Sequence, residues 1–393
     1  MKNPVIVDAL RTPIGRGKQG GSLSSVHPSD LLGQVLKALV ERNGIDPARV
    51  DDVLIGCVSQ VGEQSATPGR WALLAAGFPA SVPSVTIDRK CGSGQQAIHF
   101  AAQGIMAGAY DIVIAGGVES MSRVPMGSAR IGMDPFGDGA NTRYAPGLVG
   151  QGVSAELVAR KWGLSREELD DYSVRSHHLA ARAQAAGRFK DEILPILTPE
   201  GLVDQDETIR ANSTLEGLSG LKTPFADPAL DERFGGIDWK ITAGNSSQIT
   251  DGASALLLMS EETAAALNLT PLARFVGFDA VGDDPTLMLT APIPSTRRVL
   301  EKAGLSLDDI GHYEVNEAFA PVPLAWLKEL GADPERLNPR GGAIALGHPL
   351  GASGARIMTT MVHAMSQTGT RYGLQTICEA GGMANATILE AMN

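Results

Sequence analysis

The chain has 393 residues, enough for two or three packed units at roughly 150 residues each. With 43% hydrophobic and 20% charged residues it reads as soluble and globular, and no apolar run reaches the roughly 18 residues of a membrane-spanning helix. A net charge of -11 excludes a broad basic footprint for nucleic acid, so an anionic ligand has to be met by local groups.

The opening Met1-Lys2-Asn3-Pro4-Val5-Ile6-Val7 has one charge, a proline and a β-branched run, and is expected to be a first strand rather than a signal peptide. Next come a helix closing at Gly44, an acidic turn, and a buried strand Asp52-Val53-Leu54-Ile55-Gly56-Cys57. Cys91-Gly92-Ser93-Gly94 then opens a helix over residues 95–106, followed by a strand over 111–117. The same order returns late in the chain. A helix closes at Gly304, Asp308-Asp309 turns, and a strand runs Tyr313-Glu314-Val315-Asn316. Further on, His348-Pro349-Leu350-Gly351 opens a helix over 352–365, and a strand follows over 373–378. Such repetition predicts two similar α/β units.

Between the halves the texture becomes charged and rich in glycine and proline, with helices expected over 154–162 and 166–186. A connection of this length reads as an inserted domain carrying ligand contacts. The expected division is 1–119 with 242–271 for the first half, 120–241 for the inserted loop domain, and 272–393 for the second half.

The three cysteines, Cys57, Cys91 and Cys378, are odd in number and far apart, which argues against a disulfide framework and for a reducing, cytoplasmic setting. No Ser-Lys-Leu-type address stands at the C-terminus. Cys91 lies at a strand-to-helix turn behind Asp88-Arg89-Lys90. Helix-start N–H groups and nearby cations are expected to favour its thiolate, though a buried structural cysteine is the plain alternative. His348 occupies the corresponding turn of the second half, where an imidazole can activate a thiol if the two helix starts converge; otherwise it is a turn histidine. Cys378 precedes Glu379-Ala380-Gly381-Gly382, and a second thiol there suits proton transfer at carbon, or simply core packing. Asn316 ends its strand beside Glu317-Ala318-Phe319 and reads either as an oxyanion group or as a helix cap.

Cys91-Gly92-Ser93, Asn316-Glu317-Ala318-Phe319, Gly347-His348-Pro349 and Cys378-Glu379-Ala380-Gly381-Gly382 together resemble the four catalytic motifs of thiolases, in family order. Arg11-Thr12-Pro13-Ile14-Gly15 and Thr242-Ala243-Gly244-Asn245-Ser246-Ser247 extend the resemblance over essentially the whole chain. It implies an α/β fold with duplicated thiolase-type domains in a layered α-β-α-β-α arrangement and an inserted loop domain. It also implies a 3-oxoacyl-CoA thiolase, in which Cys91 carries the acyl group, His348 activates it, and Cys378 moves protons for the acetyl carbon and the incoming thiol. Asn316 would hold a water that forms one oxyanion site with His348. The backbone N–H groups of Cys91 and Ala380 would form the other.

Ser247, Ala318 and Phe319 match tunnel-lining positions, and Lys222 resembles a basic position near the nucleotide end of coenzyme A. Acyl-CoA and CoA are the implied partners, with CoA as substrate, no tightly bound cofactor, no metal, no nucleic acid or membrane, and a homodimer or homotetramer.

Two departures stand out. Ala380 replaces a glycine, which puts the oxyanion geometry in question. Gly150-Gln151-Gly152 stands where short-chain biosynthetic members carry His-Met, which predicts room for a longer or bulkier acyl group and a degradative role. Three alternatives remain: a short-chain acetyltransferase making acetoacetyl-CoA, a decarboxylating condensing enzyme (which lacks the second cysteine), and a non-catalytic acyl-CoA or lipid-binding protein of the same fold.

Overall fold

The computed structural model describes residues 2–392, so the expected outer limits at 1 and 393 lie outside the described residues. The first half comprises β1 (Pro4–Arg11), β2 (Gly15–Arg16), α1 (Pro28–Arg42), β3 (Asp52–Gly56), α2 (Pro68–Ala75), β4 (Ser84–Ile87), α3 (Ser93–Ala107) and β5 (Ile112–Ser120). An insertion follows with α4 (Gly137–Arg143), α5 (Gln151–Lys161), α6 (Arg166–Ala185), β6 (Ile196–Thr198), β7 (Gly201–Val203), α7 (Leu215–Ser219) and α8 (Pro228–Arg233). The first half is completed by β8 (Thr250–Ser260) and α9 (Glu261–Ala266). The second half contains β9 (Ala273–Gly282), α10 (Pro292–Ala303), β10 (His312–Val315), α11 (Pro321–Leu330), α12 (Ala343–Leu346), α13 (Leu350–Thr368), β11 (Tyr372–Glu379) and β12 (Met383–Ala391).

The duplication is written in the strand pairing. In the first half β3 runs parallel to β5, which is antiparallel to β8, which is antiparallel to β1. In the second, β10 runs parallel to β11, which is antiparallel to β12, which is antiparallel to β9. β1 pairs with β9 and joins the two half-sheets into one path, β10-β11-β12-β9-β1-β8-β5-β3-β4. Strands β1, β5 and β8 are buried along their whole length, as their continuous apolar runs require.

Helices α3 and α13 pack on each other and fill the middle layer, with α13 lying on strands of both halves. Ala97, Ile98, Ala101, Met358, Met361 and Val362 form the apolar seam there. α1 and α2 cover the outer face of the first half, while α10 and α11 cover that of the second. The resulting layers are α-β-α-β-α.

Local signals explain the element ends. α3, α10, α11 and α13 stop at Gly108, Gly304, Gly331 and Gly369, each in the left-handed region that glycine tolerates. α6 starts with a reciprocal Ser165–Glu168 capping box. The insertion is tied down by charge: Arg11 of β1, fully buried, pairs with Glu192 at 2.6 Å and with both oxygens of Asp206 at 2.7 and 3.0 Å. Removing one partner would leave a buried charge uncompensated, which costs on the order of 3–5 kcal/mol.

Candidate active site

Cys91 sits on the turn from β4 into α3, one residue before the Gly92 cap. Lys90 just before it takes a positive φ of 49°, a strained conformation for a lysine. Ser93 secures the turn, accepting from Arg89 N–H at 2.9 Å and donating to the Lys90 carbonyl at 2.5 Å.

The two helix starts meet through glycine. A methyl group built on Gly94 would lie 2.9 Å from the Gly351 carbonyl oxygen; one on Gly354 would lie 2.4 Å from the Gln95 nitrogen; one on Gly117 would lie 2.0 Å from the Gly351 oxygen. Cys91 is thereby packed with Ile357 and Leu350 of α13 and with Ile377 of β11, so residues of the second half close over this first-half turn.

The environment of Cys91 does not favour thiolate. Burial pushes the thiol up to about 12, and the neighbouring Glu379 adds to that, outweighing its own backbone N–H and Lys90. The expectation from the local sequence counted the cations and the helix start but not the loss of water. At rest the sulfur is a neutral thiol.

His348 is held in a form that can accept a proton. Its backbone N–H donates to the Gln248 carbonyl at 3.0 Å, and ring Nδ1 lies 2.5 Å from Ser353 Oγ. Ser353 directs its own proton to the Pro349 carbonyl at 2.8 Å, so Nδ1–H is assigned as the donor to Ser353. Nε2 then carries a free lone pair, and it is buried without a partner. Burial, aided by Arg356, lowers the imidazole to about 3, so it is neutral and able to accept a proton.

Cys378 closes β11 and is buried. Its thiol is pushed up first by burial, then by Cys91 and Glu379, while Asn316 works the other way. Cys91 is among the groups that raise it, so a thiolate on one sulfur disfavours a thiolate on the other. Asn316 is buried beyond the end of β10, held by its N–H to the Thr376 carbonyl at 3.0 Å. Its amide lies close enough to influence Cys378, yet neither amide atom reaches a partner in full hydrogen-bond geometry. It does not cap the next helix: α11 begins at Pro321 with Ala320 as its cap. A buried amide left open in this way suits a ligand or water.

Ala380 needs no left-handed backbone. The positive φ values of that turn fall on Gly381 (95°) and Gly382 (79°), so the alanine is accommodated without strain.

Sequence reasoning missed two buried glutamates. Glu119, at the end of β5, accepts from the backbone N–H groups of Val58 (2.9 Å), Ser59 (3.0 Å) and Gly351 (2.9 Å), and from Gln64 Nε2 (2.8 Å). It thus fixes the first turn of α13, next to His348, against the first half. Burial raises its pKa, but four N–H donors demand acceptor oxygens and hold it ionised. Glu317, beside Asn316, accepts from Tyr172 Oη (2.8 Å), Ser176 Oγ (2.7 Å), Asn338 Nδ2 (3.0 Å) and Ile344 N–H (3.0 Å). It links the Asn316 loop to α6 and to the approach to His348. The available signal was an acid at the end of an apolar strand.

Among the expected contact residues, Ser247 donates its N–H to the Ala318 carbonyl at 3.0 Å, and Ser246 bridges to Phe319, so Ser247, Ala318 and Phe319 form one strip. Gln151 opens α5, half-buried, beside Gly152. A methyl group on Gly152 would lie 2.4 Å from the Phe225 ring, which meets Phe319 edge-on at 6.2 Å. The room expected at Gly152 is therefore filled by Phe225, whereas a methyl group on Gly150 would meet nothing within 4 Å. Lys222 is exposed, one residue beyond Leu221, which packs over Gly244. No group of three metal-ligating side chains occurs among the described residues.

The arrangement can deprotonate a thiol as it attacks, donate a proton from a second thiol, and place an amide by the reacting atoms. Comparison with known proteins points the same way. Residues 4–262 match the family model described as thiolase, N-terminal domain, and residues 269–391 that described as thiolase, C-terminal domain. A steroid 3-ketoacyl-CoA thiolase, FadA6, of Mycobacterium tuberculosis is 48% identical, over 100% of this chain and 95% of that protein. A 3-oxoadipyl-CoA/3-oxo-5,6-dehydrosuberyl-CoA thiolase of Escherichia coli is 44% identical over 99% of this chain and 100% of its own length. The crystal structure of the Bacillus anthracis acetyl-CoA acetyltransferase superposes with a TM-score of 0.89 at 39% identity, covering 100% of this chain and 99% of that one.

Proposed function

Since this chain belongs to the thiolase family, we propose that it is a degradative 3-oxoacyl-CoA thiolase acting on acyl groups larger than acetyl. The observation that carries the chemistry is the second thiol: Cys378 is buried close enough to Cys91 for a charge on one to bear on the other, and a decarboxylating condensing enzyme has no use for it.

In this reading the Cys91 thiol attacks the 3-oxo carbon while His348 Nε2 takes its proton. Negative charge on the former ketone oxygen is met by the backbone N–H groups of Cys91 and Ala380. The bond between the second and third carbons breaks, leaving the acyl group on Cys91 and an acetyl-CoA enolate, whose oxygen is met by His348 and a water held on Asn316. Cys378 gives its proton to the enolate carbon and acetyl-CoA leaves. The Cys378 thiolate then removes the proton of an incoming CoA thiol, whose sulfur attacks the Cys91 thioester and releases the shortened acyl-CoA, while the departing Cys91 sulfur takes back the proton held on His348. CoA is a substrate throughout. Read backward, the same groups make the bond.

The acyl preference rests on the open position at Gly150 and on the relative named for steroid substrates. In the same reading Ser247, Ala318 and Phe319 line the pantetheine path, with Lys222 toward the nucleotide.

A cytoplasmic homodimer is the proposed working form. β4 ends the sheet with an open edge, and Val85 on it and Phe100 nearby are 43% and 44% exposed, a combination suited to strand-edge pairing with a second copy.

Intact-mass and peptide mass spectrometry after mixing with 3-oxoacyl-CoAs of graded size tests the proposal. An acyl adduct on Cys91, formed fastest from bulky chains, is expected. No adduct from any member of the panel would favour a binding protein, and an equal response to acetoacetyl-CoA and bulky chains would remove the claim of size.

A further inference from the structure

Glu379 is buried, and neither carboxyl oxygen has a hydrogen-bond partner. It follows Cys378 on β11 but reaches the other cysteine. A methyl group built on Gly92 would lie 1.8 Å from Glu379 Oε1 and 2.7 Å from its carboxyl carbon, so the acid occupies the side-chain space of the residue next to Cys91. A carboxyl in that position has no role in the acyl-transfer steps above, yet its charge is one the Cys91 sulfur must feel. We propose that Glu379 is a positioning residue for Cys91: clamped against the Gly92 backbone, it governs how readily the neighbouring thiol gives up its proton. The proposal rests on Cys91 being the nucleophile.

Burial, against the surrounding charges, favours the neutral acid. From the β4–α3 turn, Arg89 draws the carboxyl toward ionisation while Asp88 opposes it, and burial outweighs both, raising it to about 8. Lys90, the cation nearest Cys91 in sequence, is already paired with Asp88 at 2.6 Å. Across the β11–β12 turn, Asp283 and Asp284 show only backbone oxygens to Gly382 and turn their carboxylates to Thr290 and Thr286. Glu119 from β5 also acts on Cys91, Cys91 in turn acts on Cys378, and His348 is neutral. While Glu379 keeps its proton, Cys91 can pass its own to His348. Once Glu379 ionises, a like charge beside the sulfur opposes the thiolate that forms during attack.

The test compares wild type with Glu379→Gln by the rate of iodoacetamide labelling at Cys91, read by peptide mass spectrometry from pH 6 to 10, with acyl-enzyme formation and kcat/KM followed alongside. Below about pH 7 the two proteins should label at similar rates. By about pH 9.5 the variant should be about tenfold faster, because one pKa unit on the thiol is tenfold in thiolate. A ratio that stays constant across the range overturns the proposal, since a purely structural effect does not titrate. Wild type alone gives a second reading. Its logarithmic rate should pass from one line of unit slope to a parallel one about tenfold lower, and one uninterrupted line overturns the proposal. Acyl adduct on Cys91 with a constant ratio would remove only the role of Glu379; absence of any adduct would remove the nucleophile and this proposal with it.

Discussion

Glu119 and Glu317 are both buried and both accept four hydrogen bonds, but they differ in what donates. At Glu119 all four donors are N–H groups, two on each oxygen. Gln64 has no freedom to turn its amide, because its Oε1 accepts from Ser120 N–H at 2.6 Å and its Nε2 also donates to the Ser59 carbonyl. In Glu119→Gln either orientation of the new amide points its NH2 at two N–H groups, so two charge-assisted bonds are lost. At about 1.5–3 kcal/mol each, the expected loss is roughly 3–6 kcal/mol. At Glu317 each oxygen faces one N–H and one hydroxyl, Tyr172 or Ser176, and a hydroxyl can rotate to accept from the new NH2. Glu317→Gln should therefore forfeit one such bond, about half the cost. Urea unfolding of the three proteins at pH 7.5, followed by far-UV circular dichroism, gives the comparison. A Glu119→Gln protein within about 1 kcal/mol of wild type would mean that the carboxyl is protonated in the native state, and a larger loss at Glu317 would refute the donor count altogether.

Two further outcomes are expected. Burial lowers His348 and His99 to about 3 and His177 to about 4, so the folded state keeps them neutral while the unfolded chain protonates them below about 6.5. Stability is full above that pH and falls as the pH drops, at up to about 1.4 kcal/mol per unit for each histidine. Glu379, held protonated, works in the opposite sense, as do Asp251 and Glu156, whose carboxyls burial also raises, so the histidine share is read as the difference in urea stability between wild type and His177→Gln from pH 6 to 5; identical slopes would contradict the burial of that ring. Gly152→Ala should force Phe225 toward Phe319, an overpacking cost of about 1–3 kcal/mol. kcat/KM for bulky 3-oxoacyl-CoAs should then drop by about tenfold or more, with acetoacetyl-CoA less affected, and a uniform drop for all chain lengths would place this wall away from the acyl group.

The candidate residues stood out because each is set in a signal that survives in one dimension. Cys91 and His348 stand at matching helix starts among glycines and a proline, and the repeat of helix, acidic turn and strand predicted the duplicated sheet. What stayed hidden depends on partners far along the chain. The assignment of the His348 proton depends on the three-dimensional turn that brings back Ser353, and Arg11 meets Glu192 and Asp206 almost two hundred positions away. Local charges beside Cys91 suggested thiolate, while the desolvation that decides the matter comes from Leu350, Ile357 and Ile377. At Gly150-Gln151-Gly152 the missing side chains were visible, but Phe225, which takes up part of the space, comes from another stretch of the insertion. Ala380 showed the reverse. The local rule raised a concern that the backbone, with its positive φ values on the two glycines that follow, does not share.

The contact of Gly94, Gly117 and Gly354 with the opposite half places main chain directly on main chain, with no side chain between. Side chains can be exchanged by mutation; the thickness of a peptide unit cannot. The separation between the Cys91 turn and the His348 turn is thus set by a dimension that sequence drift leaves untouched. The walls built by Gly150, Gly152 and Phe225 belong to the insertion and remain free to vary. Under the proposed chemistry, a fold divided in this way can acquire new acyl substrates by reshaping one region while the spacing of the Cys91 and His348 turns stays as it was.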